Sequence, residues 1–192
     1  MSVLPIYMYG QSVLRKKAKA VRSLDEGMIK FVDDMFETMR KAGGIGLAAN
    51  QVGVFQRVIV IDVSEMEETK DQKPIALINP EVVSQEGEST MEEGCLSIPE
   101  IREQVDRPEV IRLKYKDLEF KDQELVARGL IARVILHEID HLNGVLFIDY
   151  LDTEKRKLLR GRLNKIKRGE VEVSYPIVSA IVSVGRQSVH AK

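Results

Sequence analysis

The 192-residue sequence has no tryptophan, and only 5% of its residues are aromatic. Platforms for stacking unpaired bases are therefore not expected. It has one cysteine, which excludes an intramolecular disulfide framework. An excess of one charge is also lacking: 29 Lys and Arg stand against 30 Asp and Glu, a formal net charge of -1. That balance argues against a surface given over to phosphate backbones, and no sequence-specific nucleic-acid partner is expected. No apolar run approaches the ~20 residues that cross a bilayer. The opening Met1-Ser2-Val3-Leu4-Pro5-Ile6 has neither the basic segment nor the long apolar core of a secretory signal. The expectation is no membrane partner and a cytoplasmic location. A lone thiol there is inert packing, a nucleophile or a metal ligand.

What is present is ordinary for a folded domain: 44% hydrophobic and 31% charged residues. A chain of this length buries roughly 70% of its unfolded surface without staples. No repeat or linker divides it, so residues 1–192 are read as a single domain. Ser23-Leu24-Asp25-Glu26 fits a capping box with Ser23 as the cap. Met28, Phe31, Val32, Met35, Phe36 and Met39 then follow at helical spacing, and Gly43-Gly44 ends the helix. Val58–Ile61 and Ile75–Ile78 read as buried strands, the second stopped by Asn79-Pro80, with a charged surface loop, 64–73, between them. Val82-Val83 and the stretch around Thr90 read as further short strands. Ile111, Leu113 and Tyr115 alternate with Arg112 and Lys114, a strand that Leu118-Glu119-Phe120 is expected to continue as antiparallel sheet. A second helix is expected from about Leu125 to Asn143, closed by Gly144, and a basic third one over 152–168. The tail, 171–192, offers only a strand-like Val171-Glu172-Val173 and Pro176. Strands gathered in the middle with helices apart from them make the class α+β.

The sharpest chemical signal is His137-Glu138-Ile139-Asp140-His141. Leu130, Val134, His137 and His141 are spaced four, three and four apart, so both imidazoles extend the apolar stripe of one helix face. Two histidines four apart can hold one metal ion, with Glu138 beside them to move a proton. The alternative is a pair of satisfied core histidines. A third ligand is needed, and the choice lies between Cys95 and a carboxylate. Cys95 sits in Glu93-Gly94-Cys95-Leu96-Ser97-Ile98-Pro99, where it is either a small buried hydrophobe or the thiolate completing an open three-ligand site. Gly44-Ile45-Gly46-Leu47-Ala48-Ala49 matches a dinucleotide fingerprint in letters only, because a helix precedes it and a strand follows, the reverse of the required order. It is then a tight turn, or a backbone rim that presents Gln51 to a site.

Taken together, Gly44–Gln51, Glu93–Ser97 and His137–Leu142 resemble, in order, the three motifs of the bacterial-type peptide deformylase family. The resemblance implies antiparallel sheets surrounding a central helix that carries the histidines, with a C-terminal helix. It implies a metal-dependent hydrolase that removes the N-formyl group from the N-terminal methionine of newly made polypeptides and releases formate. It implies one divalent ion, Fe2+ natively, with Zn2+, Ni2+ or Co2+ after purification. Residue by residue, it implies Cys95, His137 and His141 as ligands and Glu138 as acid/base. Gln51 and the Leu96 backbone N–H would polarise the formyl carbonyl. Gly46 and Gly94 would pair with the peptide backbone. Ile45, Glu93 and Leu130 would neighbour the methionine pocket, with Arg107 adjacent. Leu136 departs from the family, which usually has Gln before the first histidine. The basic helix 152–168 is a solvated face, or, as the resemblance implies, a contact with the ribosome. The competing classes are a metallopeptidase of the H-E-x-x-H kind and a non-catalytic metal-binding or ribosome-associated protein. Formate release separates all three.

Overall fold

The computed structural model describes residues 1–179. The strands are β1 (Ile6–Tyr7), β2 (Gly46–Ala48), β3 (Val58–Ile61), β4 (Ile75–Glu86), β5 (Ser89–Cys95), β6 (Ile98–Arg107), β7 (Val110–Lys116), β8 (Asp122–Arg128) and β9 (Ile177–Val178). The helices are α1 (Glu26–Lys41), α2 (Gly129–Leu142) and α3 (Thr153–Lys167). Strands β2-β3-β4-β7-β8 form one antiparallel sheet, β5 and β6 an antiparallel hairpin, and β1 and β9 a parallel pair.

The unbroken β-branched run of β3 marks a strand covered on both faces. Val58 and Val60 enter a core shared with α1, α3 and the hairpin, whereas Ile59 and Ile61 enter a second core under α2. Helix α2 therefore lies between the sheet and the hairpin. Its Ala132, Ile135, Ile139 and Leu142 pack on Leu77, Ile111 and Leu113 of the sheet. From the same helix Arg133 donates to the Val105 and Ser89 carbonyls of the hairpin. This is the α+β arrangement expected, with the histidine helix in the middle.

Several boundaries differ from the sequence reading. Helix α1 is capped by Asp25, not Ser23: its carboxylate accepts from the Met28 N–H at 2.8 Å, a contact worth about 1 kcal/mol. Strand β4 does not stop at Asn79-Pro80 but runs on to Glu86 through a shift of register between Ile78 and Glu81. Asn79 takes a left-handed φ of 52° there, and its amide bonds both the N–H and the carbonyl of Val21, which offsets the strain. Leu118-Glu119-Phe120 is the turn between β7 and β8 rather than more strand. Helix α2 begins at Gly129, not Leu125, because Asp122–Arg128 pairs with β7 along its whole length. Residues such as Gln123, Glu124 and Leu125 favour helix locally, and the ladder overrides them. The tail's strand is Ile177–Val178 rather than Val171–Val173, and the remainder of the tail, 180–192, lies outside the described residues. Among the described residues no helix is long and apolar enough to cross a membrane.

Candidate active site

Three elements bring their polar residues to one end of α2. The short turn Ala49–Val52 after β2 supplies Gln51, the end of β5 supplies Cys95, and α2 supplies His137, Glu138 and His141. The donor atoms of Cys95, His137 and His141 lie within 4.8 Å of one another. Cys95 Sγ is 3.2 Å from His141 Nε2, and the two imidazole centroids are 4.9 Å apart. A single ion with bonds of about 2.0–2.3 Å fits among such donors.

The other nitrogens complete the argument. His137 Nδ1 is 2.9 Å from Glu93 Oε2, so its N–H donates there and Nε2 is left for the site. His141 is 1% exposed, and its Nδ1 has no hydrogen-bond partner among the described residues. Burial opposes a proton on His137, yet contact with Cys95 and Glu93 raises its pKa to about 10. Burial, and then the neighbouring His137, push His141 well below the ordinary histidine value. Two imidazoles and a sulfur that converge in this way form a donor set that fits a divalent cation.

Glu93 is the hub beneath His137. Arg107 reaches its two oxygens at 2.5 and 3.0 Å, and Arg133 reaches one at 2.9 Å. Arg107 also bonds Asp140 at 2.7 Å, which accepts from the Tyr150 hydroxyl at 2.9 Å. Two guanidinium groups are set against two carboxylates. Burial works against the Glu93 carboxylate, but bonds from His137 and Arg107 hold its pKa at about 2. Removing one partner from a buried set of this kind costs about 3–5 kcal/mol.

Gln51 is oriented by its own backbone neighbourhood. Its Oε1 accepts from the Ala48 N–H at 2.8 Å, which turns Nε2 toward Ser97 Oγ at 3.2 Å and Cys95 Sγ at 3.5 Å. Glu138 is buried, and one of its oxygens has no partner among the described residues. Burial raises its pKa to about 7. A Cβ on Gly46 would stand 2.5 Å from Glu138 Oε1 and 2.8 Å from Val134, so only glycine allows this approach of strand and carboxylate.

Gln51, Cys95, His137 and Glu138 open onto a cavity of ≈ 660 Å³ whose lining also includes Ile45, Gly46, Glu93, Gly94, Leu96 and Leu130. A second depression of ≈ 690 Å³ lies between the start of α1 and the Leu118–Phe120 turn. Among the described residues no histidine or cysteine lines it. Of the residues singled out in the sequence, Arg107 stands apart from the rest. Glu93 lines the cavity, whereas Arg107, bonded to it beneath the histidine, does not; both side chains are 4% exposed. Leu136 packs against the apolar cluster under α2. Sequence reasoning missed Arg133, although a charge four positions before His137 on the buried face was a visible signal. It also missed Tyr150 and Tyr175, whose partners are set by the fold alone.

Residues 3–157 match the family model described as polypeptide deformylase. A peptide deformylase from Salinibacter ruber is 48% identical over 185 residues, covering 92% of this chain and 95% of that protein. One from Chlorobium phaeobacteroides is 45% identical over 175 residues, covering 91% and 95%. The crystal structure of a peptide deformylase from Legionella pneumophila is similar with a TM-score of 0.81 at 41% identity, covering 88% of this chain and 98% of that one. That from Ehrlichia chaffeensis in complex with actinonin has a TM-score of 0.80 at 38% identity, covering 90% and 100%. A match spanning most of the sequence, and near relatives over almost all of it, agree with what the two histidines, the thiol and the buried carboxylate can do together: the chain belongs to the polypeptide deformylase family.

Proposed function

We propose that Cys95, His137 and His141 hold the one divalent ion of this enzyme, and that Glu138, Gln51 and the Leu96 N–H carry out its reaction around it. The reaction is that of the family, removal of the N-formyl group from the N-terminal methionine of newly made polypeptides. The observation that carries the residue assignment is the convergence of the three donors within 4.8 Å, beside a carboxylate with an oxygen unpartnered among the described residues, at the wall of one cavity. When bound, the ion supplies Lewis acidity, easing deprotonation of water and polarising the formyl carbonyl. Glu138 takes the proton of the attacking water and returns it to the amine that leaves. The Gln51 amide and the Leu96 N–H face the charge that grows on the formyl oxygen. Gly46 and Gly94 offer backbone to the peptide, and Ile45 and Leu130 offer apolar wall to the methionine side chain. Glu93 neighbours the methionine pocket and also holds His137, and Arg107 acts from beneath by holding Glu93.

Two imidazoles and a thiolate are borderline-soft donors that accept Fe2+, Co2+, Ni2+ or Zn2+. The native ion assigned is Fe2+. Protein purified in air is expected to carry zinc or nickel instead, since raw affinity favours them. Release of formate from a formyl-Met tripeptide tests the activity. For the residue roles, Gln51→Ala is expected to lower kcat by about 10²–10³-fold, the cost of one lost oxyanion donor. KM should change much less. A rise in KM with kcat intact would make Gln51 a binding residue only.

The whole chain acts as one catalytic unit in the cytoplasm, where formylated chains emerge, and α3 meets the ribosome. What supports that contact is a face on which Lys155, Arg156, Lys157, Arg160 and Arg162 are exposed together with Leu158, 82% exposed. Changing Lys155, Arg156 and Arg160 to Glu is expected to weaken ribosome cosedimentation about tenfold or more in low salt. Turnover of short formyl peptides should not change. Equal cosedimentation would return α3 to a solvated face.

A further inference from the structure

The two ends of the described chain meet at the turn that carries Cys95. Strand β9 runs parallel to β1, joined by the Ile6 N–H to the Pro176 carbonyl and the Met8 N–H to the Val178 carbonyl, each 2.9 Å. From this pair two bonds reach the link between β5 and β6. The Tyr9 N–H donates to the Ser97 carbonyl at 2.9 Å, and the Tyr175 hydroxyl donates to the Leu96 carbonyl at 2.8 Å. Tyr175 is partly buried and, with Val173, lines the same cavity as Cys95, Gln51 and Glu138. The segment lies beyond the residues matched by the family model, which end at 157.

The link it holds is exposed to misplacement. A register shift separates Gly94 and Cys95, and Leu96 and Ser97 lie outside both strands. A hydrogen-bond donor assists a developing oxyanion only when it is fixed in advance. A peptide displaced by 1 Å loses much of that effect. Fixing the Leu96 carbonyl from one side, and the Ser97 carbonyl from the other, pins the peptide that follows Leu96 and with it the Leu96 Cα, to which the Leu96 N–H is joined.

We propose that Tyr175 is a positioning residue of the reaction: its hydroxyl, anchored by the β1–β9 pair, holds the Leu96–Ser97 peptide, and through the shared Leu96 Cα keeps the Leu96 N–H aimed at the formyl oxygen. This rests on the role given to Leu96 above. The C-terminal segment is then a working wall of the cleft, and not an appendage to α3.

The test compares the wild type with Tyr175→Phe, which keeps the ring and removes the hydroxyl; both are loaded with zinc for the order parameter and with nickel for the kinetics. Two quantities are read: the 15N order parameter of Leu96, and kcat and KM on a formyl-Met tripeptide per bound metal. The order parameter at Leu96 is expected to fall from about 0.85 toward 0.6. In the same protein kcat should fall about 3- to 10-fold, the scale of one neutral hydrogen bond, with KM nearly constant. An unchanged order parameter overturns the inference, as does a kcat per bound metal equal to the wild type. A loss confined to KM also overturns it, by making Tyr175 a contact for the peptide. If the wild type itself releases no formate, the reading of the function fails, while the order of Leu96 still decides whether Tyr175 holds the turn.

Discussion

Glu138→Ala is expected to lower turnover of formyl-Met peptides by about 10²–10⁴-fold, the range for loss of a positioned proton-transfer group. The metal content should stay at the wild-type level, because Glu138 is not among the three converging donors. Its place explains both halves of the result. It follows His137 on α2, so its carboxylate stands beside a donor without sharing the face used by the imidazoles. One oxygen lies against Gly46 and the other has no partner among the described residues. Glu138→Gln, which keeps the shape and removes the base, should be impaired in the same way. Metal analysis beside formate release checks the assignment. Stoichiometric loss of metal from Glu138→Ala would make Glu138 a ligand and leave the reaction without its base.

The largest effect is expected from Cys95→Ser. A serine hydroxyl stays protonated at neutral pH and is a poor donor in place of a thiolate. The protein should lose its metal on dialysis, and activity should fall in proportion to the metal lost. The fold should persist, since Cys95 is only partly buried at the end of β5 and the change is close to isosteric. Circular dichroism and metal per chain, measured on the same sample, separate the two outcomes. A folded Cys95→Ser that keeps its metal would show that the two histidines suffice.

Much of the site was legible because its chemistry is local. The spacing of His137 and His141 places both imidazoles on one helix face whatever the fold around them, and Glu138 comes with them. Gln51 and Cys95 were located by motif, and the structure brings them to the same cavity as those residues. Glu93 and Arg107 were harder to place. Glu93 lines the cavity and Arg107 lies beneath it, and their side chains bond His137, Arg133 and Asp140, which lie far away along the chain. In the fold, the strands with branched runs were clear, and those written in helix-forming residues were not. Strand β8 resembles the start of a helix until its pairing with β7 is known. Strand β6 was overlooked although Ile101, Val105 and Arg107 turn inward while Arg102, Gln104 and Asp106 face solvent. Tyr175 had no signal at all, because a bond spanning 79 residues exists only once the ends have met.

The most direct measurement is formate release by one preparation before and after removal of its metal. The protein is stripped with chelator and then reconstituted without oxygen, with Fe2+, Ni2+, Co2+ or Zn2+ in turn. The stripped protein is expected to be inactive on a formyl-Met tripeptide. Activity should return fully with Fe2+, Ni2+ or Co2+ and much less with Zn2+, which more readily stays four-coordinate beside a strongly donating thiolate. Full activity in the metal-free protein would contradict the account, since neither Glu138 nor Gln51 alone could then explain the reaction.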